Sequence, residues 1–291
     1  MSLTPKRLTD LINPESFRLK LLIAALPGTG KTTFVGTAPN VAIAASETGH
    51  GKGLASIAGH GGQYCEPENY KEFETFCSGD AFKDADTLAV DSLSAMSKTF
   101  IKDYALTFPR KNGQTLKRAA GVPEMDDYQV MAEITRRLLA KLIGLDKHII
   151  VTCTLKLPQE ANPEEGKEAL PGMPDLPGQL ALASAAMFDA VLILRTRPVL
   201  ANPKDPKSRF SQRYFMTEGT DKWLAKCRHT ANGKSILAAE EVFDVPIVGQ
   251  QTQGSFSYIL NKILEGYKHE ASVAKPVVSV FPVPVVVASA S

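Results

Sequence analysis

The chain has 291 residues, with 33 Lys+Arg against 31 Asp+Glu and a formal charge of +2 at pH 7. That balance excludes a polybasic, histone-like protein but leaves room for nucleic-acid binding through a local basic patch. Apolar residues make up 44% and charged residues 22%, the composition of a globular chain that builds its core without disulfides or metals. The four cysteines (65, 77, 153, 227) form no C-x-x-C pair, and the five histidines show no H-x3-H or H-E-x-x-H spacing. Neither a disulfide framework nor a zinc site of those kinds is expected. No run of 18 apolar residues occurs, and the first fifteen residues hold no apolar signal-peptide core. The expectation is a soluble, cytoplasmic protein with no membrane partner.

In chain order, residues 18–25 read as a strand, 30–37 as a helix start and 40–45 as a second short strand. Tyr70, Phe73 and Phe76 lie at helical spacing in 69–77. Residues 86–91 read as a strand, 93–106 as a helix, and 127–145 as the strongest helix, with Val130, Ile134, Leu138 and Leu142 four apart. Residues 147–154 form a buried strand that carries Cys153, an expected buried thiol. Helix 178–187 and strand 190–195 follow, then strands near 210–217 and 223–228, and a last amphipathic helix over 256–267. Strands alternating with helices imply βαβ units and a mostly parallel sheet flanked by helices. The later strands, with few helices between them, imply an antiparallel C-terminal extension. Residues 109–124, 155–177 and 269–291 read as irregular. The last of these is a Pro/Val-rich tail, expected to be disordered or to add as a strand to a partner's sheet edge. The expected organisation is an N-terminal segment (1–17), one α/β domain (18–268) and the tail.

The stretch from Ala25 to Thr32 (ALPGTGKT) follows the G-x-x-x-x-G-K-[ST] phosphate-loop pattern, with alanine at its first position, between a predicted strand and a predicted helix. Gly28 and Gly30 let the backbone curl so that N–H groups of Pro27–Thr33 other than the proline's face a phosphate. Lys31 reaches the terminal phosphates and Thr32 supplies a hydroxyl to Mg²⁺. The bound ligands expected are ATP and Mg²⁺. A second Mg²⁺ group belongs at another strand end, and Asp91 closes the apolar run from Thr87. The strand 41–45 ends at Ser46-Glu47-Thr48-Gly49, so parallel strands would bring Glu47 to the same edge as Lys31 and Asp91, as the general base for water. The glycine-rich stretch 49–53 has no strand leading into it and reads as a loop.

Together the 25–33 loop and the strand ends Ser46-Glu47-Thr48-Gly49 and Val90-Asp91-Ser92 resemble the RecA-like P-loop ATPases. The nearest resemblance is to the small phage nucleotide-binding proteins of the single-strand annealing (Sak-type) recombination group. Pro177-Gly178, then Phe188-Asp189-Ala190-Val191, resembles that group's PG…fD-x-V region, and Ala225-Lys226-Cys227-Arg228 its AK-x-R segment, with Cys227 a departure. The resemblance covers residues 18–245. It implies a RecA-like core that hydrolyses ATP with Mg²⁺ on single-stranded DNA, assembles as a homo-oligomeric ring or filament, and works with a single-strand-binding protein in the host cytoplasm. It also implies that Lys226 and Arg228, two apart on one strand face, reach the γ-phosphate of a neighbouring subunit. Thr152 or Thr154 would sense the γ-phosphate. Candidate DNA contacts are the basic stretches 110–118 and 204–213, the latter with Phe210 and Tyr214 for base stacking. The alternatives are a non-hydrolysing, ATP-dependent assembly switch and a small-molecule kinase on the same loop.

Overall fold

The computed structural model describes residues 13–46, 52–108, 121–161, 169–177, 179–244 and 252–273. Six parallel strands form the centre of a ten-stranded sheet: β1 (Lys20–Ala25), β2 (Val41–Ala45), β3 (Gln63–Cys65), β4 (Thr87–Asp91), β5 (His148–Lys156) and β7 (Ala190–Leu200). Their spatial order is β3-β2-β4-β5-β1-β7, and each pair is parallel. Two antiparallel strands, β8 (Arg209–Met216) and β12 (Glu240–Phe243), continue the sheet beyond β7. Short β6 (Met173–Pro174) and β9 (Lys226–Cys227) pair antiparallel with the ends of β5 and β7. The sheet is mostly parallel and flanked by helices, with the antiparallel part on the C-terminal side.

The strand sequences are apolar throughout because helices cover both faces. Alternate residues divide between two cores. On one face Leu22, Leu88, Val90, Ile149 and Val151 pack against α2 (Tyr70–Ser78), α3 (Leu93–Met96), α5 (Met125–Ile143) and α6 (Leu180–Ala185). On the other, Leu21, Ile23, Ala25, Ala89 and Ile150 pack against α1 (Lys31–Val35) and α7 (Phe256–Val273). At the centre of this second core Phe34 meets Phe215 at 5.0 Å, Phe243 at 5.7 Å and Phe256 at 6.4 Å between ring centroids.

Several expectations need correction. The helix expected over 93–106 consists of α3, a π turn (Ser97–Ile101) and α4 (Lys102–Ala105). The strand expected over 223–228 shrinks to β9, because Trp223 turns away to bridge Gly172, against whose α-carbon its ring packs. The stretch 155–177 is only partly irregular. Burial of Leu155, Met173 and Leu176 folds it back on the end of β5, with a further bridge between Gln159 and Leu170. A small hairpin, β10 (Thr230–Ala231) and β11 (Lys234–Ser235), escaped the sequence reading although its turn is Asn232-Gly233. Both turn residues have positive φ, 51° and 73°, the conformation that favours this dipeptide in two-residue hairpins. The tail from residue 274 onward lies outside the described residues, as do 109–120 and 162–168.

At the base of the sheet His148 is buried, and its Nδ1 accepts the Leu19 N–H at 3.0 Å. Burial, reinforced by the Arg18 and Lys20 cations and opposed by Asp86 and Asp146, lowers its pKa to about 4. The unfolded chain takes up this proton near pH 6.5 and the folded one only near pH 4, so stability falls on acidification through that window. The expected loss between pH 7 and pH 5 is about 2 kcal/mol. In urea titrations at the two pH values, His148→Asn, whose amide oxygen still accepts the Leu19 N–H, should show that much less loss. An unchanged pH dependence in the variant would remove His148 as the cause.

Candidate nucleotide-binding site

All six parallel strands present their C-terminal ends at one edge, and the loop after β1 opens there. Gly28 and Gly30 have φ of 75° and 106°, a region that side-chain-bearing residues adopt only under strain. The chain can therefore curl between β1 and α1 as the sequence pattern required. Thr29 closes the curl by donating from Oγ1 to the Leu26 carbonyl at 2.8 Å. Lys31 lies along the loop and donates from Nζ to the carbonyls of Ala25 and Leu26 at 3.2 and 3.3 Å. Because α1 spans only five residues, the polarity of the site resides in the loop amides and Lys31 more than in a helix dipole.

The parity of the strands delivers the remaining groups. Asp91 is two residues beyond Ala89, and Thr152 two beyond Ile150, so both face α1. The Thr32 hydroxyl donates to Asp91 Oδ2 at 2.6 Å and the Thr152 hydroxyl to Oδ1 at 2.5 Å. The Asp91 backbone is also held: its carbonyl accepts from the Ser46 N–H at 2.9 Å and from the Ser46 hydroxyl at 3.1 Å. Ser46 Oγ in turn accepts the Ser92 N–H at 2.8 Å. Beneath the site Cys153 is fully buried, and burial pushes its thiol up to about 12, which makes it inert.

These residues surround a cavity of about 440 Å³, within the range of small-ligand sites. Pro27, Gly28, Gly30, Lys31, Thr32, Thr33 and Asp91 line it as the sequence pattern predicts, whereas Thr29 does not. Of the two threonines on β5, Thr154 reaches the cavity wall and Thr152 braces Asp91 from behind. Ser46, Gly53, Ser56 and Arg213 also line it and were not foreseen. Gly53 and Ser56 belong to a 3-10 helix (Lys52–His60), which corrects the loop reading for the described part of 49–53. Glu47 lies outside the described residues. A hydroxyl and a carboxylate 2.6 Å apart form a hard-oxygen pair that suits Mg²⁺, which takes few protein ligands and completes its octahedron with phosphate oxygens and water. Among the described residues no cluster of three or more His, Cys, Asp or Glu side chains could hold a metal instead.

Lys226 and Arg228 are not in this cavity. Lys226 pairs with Val191, in register with Leu22, whereas the phosphate loop begins where Ala25 pairs with Leu194. Three residues of strand separate the two positions, roughly 10 Å. Arg228 hydrogen-bonds the Ala186 carbonyl through its guanidinium, and burial and the neighbouring Arg228 lower the Lys226 pKa. Asp189, of the Phe188-Asp189 pair, has a structural part: its carboxylate accepts the Lys20 N–H at 2.9 Å and its carbonyl the Arg228 N–H at 2.9 Å.

Next to the basic stretch 204–213, Tyr214 is only 7% exposed and lies under Arg197 at 4.7 Å, so it offers no face for base stacking; Phe210, within the stretch and 46% exposed, does. No helix among the described residues is long and apolar enough to cross a membrane.

A family model described as an AAA domain matches residues 18–229. No curated protein matches the chain. Among solved structures it is similar to the flagellar accessory protein FlaH from Methanocaldococcus jannaschii, at 12% identity over 81% of this chain and 88% of that one, with a TM-score of 0.41. It is also similar to a KaiC-like protein, PH0186, from Pyrococcus horikoshii OT3, at 14% identity over 78% and 86%, with a TM-score of 0.38.

Proposed function

Since the chain belongs to the AAA domain family, and with it to the P-loop ATPase-like proteins, we propose that it binds and hydrolyses ATP with Mg²⁺ and couples hydrolysis to single-stranded DNA. The observation that carries this reading is the phosphate-loop cavity, where Lys31, Thr32 and Asp91 meet at the sheet edge. Lys31 and the loop amides hold the phosphates. Thr32 and Asp91 hold Mg²⁺, which neutralises charge as it develops on the phosphate oxygens. Thr152 and Ser46 keep the Asp91 carboxylate and backbone in place before any ligand arrives, a preorganisation that lowers the reorganisation cost of the reaction. Glu47, one residue beyond Ser46, is the proposed base that orients water.

In the same reading the protein assembles as a homo-oligomer, ring or filament, and acts in phage-type annealing or recombination with a single-strand-binding protein. Lys226 and Arg228 stand far from their own phosphate loop, which suits a role at a neighbour's site. Exposed Lys204, Lys207 and Arg209 beside exposed Phe210 suit a strand of DNA, with the backbone drawn by charge and a base stacked on the ring.

The test is phosphate release from ATP and Mg²⁺, with and without single-stranded DNA. The reading expects stimulation of about tenfold or more, a modest share of what a completed phosphoryl-transfer site can add. Hydrolysis indifferent to DNA would remove the DNA coupling. ATP binding without phosphate release would favour the assembly switch, and phosphate transfer to an added nucleoside would favour the kinase.

A further inference from the structure

Arg213 enters the phosphate site from the antiparallel part of the sheet, although its sequence neighbours form a basic surface stretch. Its placement follows from register. The end of β1, Ala25, pairs with Leu194 of β7, and Leu194 pairs with Phe215 of β8. Phe215 is fully buried against Phe34 of α1. Arg213, two residues away, lies on the same face of β8 and pairs with Thr196, two residues past the end of β1. On the other side its backbone pairs with Phe243 of β12, so strands on both sides hold it. The side chain therefore lies over the phosphate loop. A Cβ built at Gly30 would stand 3.1 Å from Arg213 Nε and 3.6 Å from Cζ.

The guanidinium lines the same cavity as Lys31, Thr32 and Asp91. Among the described residues it makes no hydrogen bond or ion pair, unlike Arg197, which binds Glu240 and Gln212. A half-buried cation without an anion, facing a phosphate loop, is arranged for an anionic ligand.

Resting on the nucleotide reading above, we propose that Arg213 binds the terminal phosphate of the nucleotide held by its own chain and so selects triphosphate over diphosphate. Lys31 presents a point charge from the loop side. Arg213 presents a planar fork from the sheet side, with the geometry for two parallel N–H···O bonds to phosphate oxygens. A diphosphate ends short of that fork. ATP is then distinguished from ADP within one subunit, and any contribution of Lys226 and Arg228 across a subunit boundary is additional.

The test is equilibrium binding, with Mg²⁺, of a non-hydrolysable ATP analogue and of ADP to the full chain and to Arg213→Ala and Arg213→Lys. Arg213→Ala should weaken the analogue by about tenfold or more, the loss of a charged hydrogen bond. It should change ADP affinity by less than about twofold, and Arg213→Lys should recover part of the analogue's affinity by charge alone. The side chain has no protein partner among the described residues, so thermal midpoints should agree among the three proteins. Equal weakening of analogue and ADP, or no change in either, would overturn the assignment while leaving the nucleotide site standing. Wild-type protein that binds neither nucleotide would overturn the nucleotide reading and this assignment with it.

Discussion

Lys31→Ala should lower ATP hydrolysis by about 10³-fold or more, since it removes the positive charge nearest the phosphates from a site whose chemistry is positioning and charge stabilisation. The same change should leave the fold intact. Lys31 opens α1, a position where alanine is the better helix former. The Leu26 carbonyl that Nζ reaches belongs to an exposed residue, where water replaces the lost donor. The measurement is steady-state phosphate release together with thermal unfolding of both proteins. A large rate loss at an unchanged midpoint is the expected result. A variant keeping a tenth of the rate would move the chemistry away from this loop, and a midpoint lowered along with the rate would make the loss one of folding.

Phe34→Ala should be the costly change for stability. The ring is fully buried and joins α1 to β8, β12 and α7 through Phe215, Phe243 and Phe256. Removing a buried phenyl group costs about 3–5 kcal/mol through lost transfer energy and the cavity left behind. In a chain of this size that lowers the thermal midpoint by roughly 5–8 °C. Phe34→Leu, which keeps most of the volume, should cost under about half as much. Phe34 also holds the face of β8 from which Arg213 projects, so the alanine variant should weaken ATP-analogue binding even below its midpoint. A midpoint shift under about 3 °C would mean that the surrounding rings close the gap.

The chain belongs to a family of P-loop ATPase-like domains, and the parts of its site legible in sequence are those written in consecutive residues. The loop from Ala25 to Thr32 carries its own geometry, because two glycines at positive φ between a buried strand and a helix leave the backbone one way to turn. Asp91 was legible for the same reason: an apolar run that ends in a carboxylate must place it at a strand end. The continuous apolarity of β1, β4 and β5 already implied a parallel sheet covered on both faces, since such strands cannot face water.

What lies across the sheet was not legible. Thr152 bonds Asp91 over 61 residues of sequence, Ser46 over 45, and Arg213 stands above Gly30 after a separation of 183. No local pattern distinguishes Arg213 from Arg209 or Lys207. Arg213 points into the cavity because β8 pairs with β7 in a register that seats Phe215 on Phe34; Arg209, on the same face four residues earlier, pairs with Leu200 farther from the phosphate loop and is exposed, and Lys207 lies in the 3-10 turn before the strand. That register is decided by burial of aromatic rings in a shared core, an energy that exists only once the distant strands and α7 have come together. The geometry of the loop was therefore determined by local backbone chemistry, and the placement of Arg213 above it by tertiary packing.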